Sequence, residues 1–155
     1  MTRREKKEPL GEVLNHLNVN AKKSLGQHFL YDQNLTDKIA RAAIDDKKNG
    51  LSNFTVIEIG PGPGGLTQSI LKEMPKQLYA IERDLRYLES LTQLRQIYTN
   101  KLIVVIGDAM TFNVSSFGNA PRRIIANLPY NISTALLIQW LKQISNIDQM
   151  TLMFQ

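Results

Sequence analysis

The run Val56-Ile57-Glu58-Ile59-Gly60-Pro61-Gly62-Pro63-Gly64-Gly65 restricts the fold more than any other part of the chain. A short apolar strand at Thr55–Ile59 breaks into a glycine-rich turn, and a helical pattern follows at once. That helix carries Leu66, Ile70 and Met74 on one face and has Pro75 as its stop. Glycine accepts positive φ and lets a ligand approach the backbone, while the helix amino end favours an anionic group. A strand, a glycine turn and a helix in this order open a βαβ unit. The expected fold is therefore α/β, with a mostly parallel sheet and ligands at the carboxyl ends of its strands.

The rest of the chain follows the same alternation. Asp32 to Ile44 reads as a helix with Leu35, Ile39 and Ala43 on one face, and residues 45–53 are a polar breaker around Asn49-Gly50. Gln77–Ile81 is a second strand, and Asp84 caps a helix that carries Leu88, Leu91 and Leu94 inward. Leu102–Ile106 and Arg123–Ala126 are the third and fourth strands. Ser133 caps a helix with Leu137, Trp140, Leu141 and Ile144 at helical spacing, and Met150–Phe154 begins a fifth strand. Residues 1–24 read as a basic arm with a short helix near Leu10–Leu17, and residues 25–155 as one domain. A sheet that stops in or after its fifth strand has the look of a fragment of a longer protein.

Composition removes several chemistries. There is no cysteine, so disulfides, thiolate zinc sites and cysteine nucleophiles are absent, and two histidines, His16 and His28, make a poor basis for a metal centre. No apolar run approaches the roughly 20 residues that span a bilayer. The formal charge of +5 suits a polyanionic partner, since lysines and arginines that neutralise phosphates release counterions.

The glycine spacing leaves the ligand open. Gly60, Gly62 and Gly65 satisfy the dinucleotide pattern G-x-G-x-x-G, whereas Gly60, Gly62 and Gly64 satisfy the G-x-G-x-G form of methyltransferases. Glu82, 22 positions after Gly60 at the end of the second strand, is placed to accept from both ribose hydroxyls. Asp108, after the third strand, is a candidate acceptor for an adenine amino group.

The segment Asn127-Leu128-Pro129-Tyr130 carries the chemistry. An aromatic amine is a poor nucleophile because its lone pair is delocalised into the ring. Two acceptors that hold its hydrogens draw the nitrogen toward a pyramidal state and aim the lone pair at a methyl group. The Asn127 side-chain oxygen is one such acceptor. The Leu128 carbonyl is the other, kept available because Pro129 biases Leu128 to an extended conformation. Tyr130 offers a face to the extruded base, and stacking of this kind contributes roughly 1–3 kcal/mol, comparable with the few kcal/mol that unstacking costs. No general base of shifted pKa is required, because the amine sheds its proton after the transfer.

Four blocks now stand together: Lys23-Ser24-Leu25-Gly26-Gln27-His28-Phe29-Leu30, Glu58–Thr67, Gly107-Asp108-Ala109-Met110 and Asn127–Ser133. From about Lys22 to Gln155 the chain resembles the small-subunit ribosomal RNA adenine N6,N6-dimethyltransferases. The resemblance implies a Rossmann-like class I fold that binds S-adenosylmethionine and releases S-adenosylhomocysteine. It implies that His28 and Leu30 line the cofactor pocket, with Gly60 near the methionine moiety and Gly62 in the same turn. Glu82 is implied on the ribose, Asp108 on the adenine and Asn127 beside the sulfonium. Members dimethylate two adjacent adenosines near the 3′ end of small-subunit ribosomal RNA, usually within a pre-assembled subunit, which implies a cytoplasmic monomer with no membrane or metal.

The family carries further strands, a second stacking aromatic and a helical domain beyond the position of Gln155. Weak cofactor binding and little activity are therefore expected of this chain. The nearest rival is the large-subunit adenine methyltransferase of the erythromycin-resistance type, which usually has isoleucine at the position of Leu128 and lacks the Leu25–His28 form. A mitochondrial homologue doubling as a transcription factor, a nicotinamide-dependent oxidoreductase and a non-catalytic RNA-binding module are the remaining alternatives.

Overall fold

The computed structural model describes residues 32–154. The basic arm, its short helix, His28 and Leu30 lie outside the described residues. The elements in chain order are α1 (Gln33–Ala42), β1 (Thr55–Ile59), α2 (Gly65–Lys72), β2 (Gln77–Glu82), α3 (Leu88–Ile97), β3 (Leu102–Ile106), β4 (Arg122–Leu128), α4 (Tyr130–Leu141) and β5 (Gln149–Phe154). All five strands are parallel, in the order β3-β2-β1-β4-β5. The order reverses between β1 and β4, so a crevice opens there at the carboxyl ends of the strands.

Helices cover both faces of the sheet. On one face Val56, Leu78, Ala80, Leu102 and Ile125 pack with Ala40 of α1 and with Leu66, Ile70 and Leu71 of α2. On the other, Ile57, Ile59, Ile81, Ile124, Ala126 and Leu128 pack with Leu136 and Trp140 of α4 and with Phe117. This explains why β1 shows no alternation of apolar and polar residues: all five of its side chains are buried, as in a strand covered on both faces. Among the described residues no helix is long and apolar enough to cross a membrane.

The expected strands are all present, and the differences fall mainly at helix faces and starts. In α1 the buried stripe is Thr36, Ala40 and Ala43, with Leu35 39 % exposed, because small side chains let α1 sit close against α2. The helix after the glycine turn ends at Lys72, since Met74 takes positive φ and turns outward to solvent. Asp84 caps a 3-10 turn at Leu85–Tyr87 rather than α3 itself; Tyr87 occupies the inward position and Leu88 faces out.

Ser133 does not cap α4. Pro129 occupies the cap position with φ −62° and ψ 139°, and Ser133 Oγ donates back to the Tyr130 carbonyl at 3.1 Å. A proline φ already suits the entry to a helix, so the first turn forms without a side-chain cap. Within α4, Leu136 and Trp140 are buried whereas Leu141 is exposed, as is Ile144 in the turn beyond. β4 runs two residues further than Arg123–Ala126 at its carboxyl end, because Asn127 and Leu128 pair with Met153 and Phe154.

Candidate active site

The turn after β1 builds the floor of the crevice. Gly60, Gly62 and Gly64 have φ of 65°, 56° and 103°, values that L side chains rarely adopt. Two of them also matter for space. A Cβ at Gly64 would stand 2.4 Å from Leu94 Cδ1, so this glycine lets α3 pack against the turn. A Cβ at Gly60 would meet nothing within 4 Å, so it would project into the open crevice. Gly60 N–H donates to the Ile81 carbonyl at 2.9 Å and Gly107 N–H to the Glu82 carbonyl at 3.0 Å, lacing together the ends of β1, β2 and β3.

Glu82 ties this floor to its wall. One carboxylate oxygen accepts from Gly62 N–H at 2.9 Å and the other from Asp84 N–H at 2.8 Å. Burial raises the carboxyl above the usual range, and the amides of Asp84, Gly62 and Arg83 oppose that rise. Each oxygen keeps a lone pair after these bonds, so the group can still accept from a ligand hydroxyl.

Beneath the turn lies a residue to which the sequence assigned no role. Glu58 is 1 % exposed in the middle of β1, and burial pushes its carboxyl up to about 8. The Thr67 hydroxyl opposes that shift and the Glu82 charge adds to it. A lone carboxylate inside an otherwise apolar buried strand was the signal available, since an ionisable group is rarely buried without a reason.

The crevice is a cavity of about 360 Å³, within the size range of small-molecule sites. Its walls include Gly60, Glu82, Asp108, Ala109, Pro129 and Ile132. Asp108 is exposed and uses one oxygen to accept Met110 N–H at 3.0 Å. Among the described residues no group of histidines and carboxylates is arranged to hold a metal ion.

Asn127 is placed by register. Ala126 pairs with Ile59, so Asn127 stands level with Gly60 across the crevice, half-buried and with its side-chain oxygen enclosed by protein. Leu128 is buried in β4, and Tyr130, the first residue of α4, is 71 % exposed at the mouth of the site. Four predicted site residues, Gly60, Glu82, Asp108 and Pro129, thus line one cavity, and Glu82 holds Gly62 beside it. Asn127, Leu128 and Tyr130 flank Pro129 without lining the cavity themselves.

The acceptor set fits a nucleoside-type ligand. The open space above Gly60 leaves room for it, and Glu82 and Asp108 present acceptors at two successive strand ends.

The family model "Ribosomal RNA adenine dimethylase" matches residues 18–155. The chain is 50 % identical over 147 residues to the "Ribosomal RNA small subunit methyltransferase A" of Paramagnetospirillum magneticum, covering 95 % of this chain and 50 % of the relative. It therefore spans about half the length of the curated relatives it matches. Among solved structures, a dimethyladenosine transferase from Plasmodium falciparum superposes with a TM-score of 0.67 at 31 % identity, covering 83 % of this chain and 43 % of that one. The 23S ribosomal RNA methyltransferase ErmE superposes with a TM-score of 0.65 at 26 % identity, covering 83 % and 48 %.

Proposed function

The chain belongs to the ribosomal RNA adenine dimethylase family, and we propose that it serves adenine-N6 dimethylation of small-subunit ribosomal RNA in the cytoplasm, on a pre-assembled subunit. S-adenosylmethionine supplies an electrophilic methyl group when bound. Glu82 would accept from its ribose hydroxyls, Asp108 from its adenine amine, and the Gly60–Gly62 turn would face its methionine moiety. His28 and Leu30 belong to the same proposed pocket.

The chain's own residues then deal with the target base. Asn127, once its amide turns from its enclosed position in the ligand-free chain, and the Leu128 carbonyl would accept the two amine hydrogens of the adenine and turn the nitrogen lone pair toward the methyl position. Tyr130, exposed at the helix start, stacks on the extruded base. Pro129 keeps the segment extended, with ψ 139°. The amine loses its proton to water after the transfer, so the neutral Glu58 is not needed as a base.

The observation that carries this reading is the register that sets Asn127 level with Gly60, which lines the cavity at the ends of β1, β2 and β3. Calorimetry tests the cofactor: S-adenosylhomocysteine should bind and NADH should not. Methyl incorporation into undermethylated small subunits tests the chemistry. Any transfer by the wild-type chain should drop at least about a hundredfold with Asn127→Ala, the scale on which preorganised hydrogen-bond partners act. Equal transfer by both proteins would refute the role of Asn127.

A further inference from the structure

The wall of the cavity that carries Asp108 is a loop, and its anchorage is unusual. Residues Ala109–Thr111 and Val114–Ser116 form two 3-10 turns, with no strand or α-helix to fix them. Two glutamines reach this loop, Gln139 on α4 and Gln143 just beyond its end. Gln139 Nε2 donates to the carbonyls of Met110 at 3.1 Å and Phe112 at 3.2 Å, and Gln143 Oε1 accepts Val114 N–H at 2.8 Å. The Gln139 side-chain oxygen is buried without a hydrogen-bond partner. That orientation has a cost, which the two carbonyls offset: turned over, the amide would set its oxygen against both of theirs.

The same helix lines the opposite wall. Asn131 and Ile132, in the first turn of α4, face the cavity with Pro129, while Asp108 and Ala109 face it from the loop. We propose that Gln139 is a positioning residue that fixes the width of the cavity by hanging the Asp108 loop from the helix that follows Asn127–Tyr130. The link to cofactor binding rests on the proposed function; the strut itself does not.

Two substitutions separate donation from bulk. Gln139→Glu keeps the shape but offers the two carbonyls no donor, whereas Gln139→Lys changes the shape and keeps donors. Amide exchange in the ligand-free protein reads the loop, and calorimetry with S-adenosylhomocysteine reads the cavity. Gln139→Glu should speed exchange at Thr111 and Phe112 and raise the dissociation constant, each about tenfold, with Gln139→Lys within about threefold of wild type. Wild-type behaviour of Gln139→Glu, or equal loss in both variants, would overturn the proposal. If the wild-type protein takes up no S-adenosylhomocysteine, the cofactor reading fails and the exchange data alone decide the strut.

Discussion

The two edges of the sheet satisfy their loops with opposite chemistry. At the amino edge, arginines reach carbonyls: Arg122 donates to Phe117, Ser115 and Gly118. Arg123 donates to the Ala43 carbonyl, pairs with Asp45 and Asp148, and lies 3.6 Å above the Phe54 ring centre. At the carboxyl edge, carboxylates reach amides: Glu82 accepts from Gly62 and Asp84, and Asp108 from Met110. An arginine fork covered by acceptors has its donors occupied. A carboxylate holding one amide per oxygen keeps lone pairs for a ligand. The amino edge is a clamp for stability, and the carboxyl edge keeps lone pairs that the proposed ligand would use.

The largest expected effect concerns the buried acid of the carboxyl edge. The Glu58 carboxyl stands near 8 in the folded protein against an ordinary 4.5. The unfolded chain therefore gives up this proton first as pH rises. The stability contributed is fully present below about 4.5 and lost as pH rises through about 8. Glu58→Gln should match wild type near pH 4 and exceed it at pH 8 by an amount on the order of 4 kcal/mol at most. Urea midpoints across this range check the difference; parallel curves would contradict it.

At the amino edge, Arg123→Ala should cost about 3 kcal/mol in urea unfolding, at the low end for breaking a buried pair, because Asp45 is 71 % exposed and regains water. Affinity of the folded variant for S-adenosylhomocysteine should not change. A matching loss of affinity would erase the distinction between the edges. Glu82→Gln should behave in the reverse sense: one backbone amide loses its acceptor and the ribose loses a charged one, for about 2 kcal/mol of cofactor affinity by calorimetry. Smallest is Tyr130→Ala, which should leave stability within about 0.5 kcal/mol at an exposed site. It should weaken RNA binding by about 1 kcal/mol, measured as retention of an adenosine-containing single strand.

The two edges also differed in how far they could be read from the sequence. Thr55–Ile59 and Leu102–Ile106 were legible to the residue, because short apolar runs between breakers leave a buried strand few alternatives. The order of Gly60, Glu82, Asp108 and Asn127 along successive strand ends followed from the βαβ alternation. The helix faces were less legible: Leu35, Met74 and Leu88 carry the hydrophobic period yet face out. Thr36, Ala40 and Tyr87 fill the contacts, and that choice is made by the neighbouring helix or loop. Arg123 read only as the start of a strand, since its partners Ala43 and Asp45 lie on segments far away in sequence. Gln139 gave no signal for the same reason.

The most direct test is a titration of the labelled protein with S-adenosylhomocysteine, following backbone amides by nuclear magnetic resonance. Saturable shifts should appear at Gly60, Gly62, Asp84 and Asp108–Met110, with the Asn127 side-chain amide moving alongside them, while residues 115–118 and 43–45 stay still. Shifts centred on the amino edge, or none that saturate, would contradict the division between clamp and site.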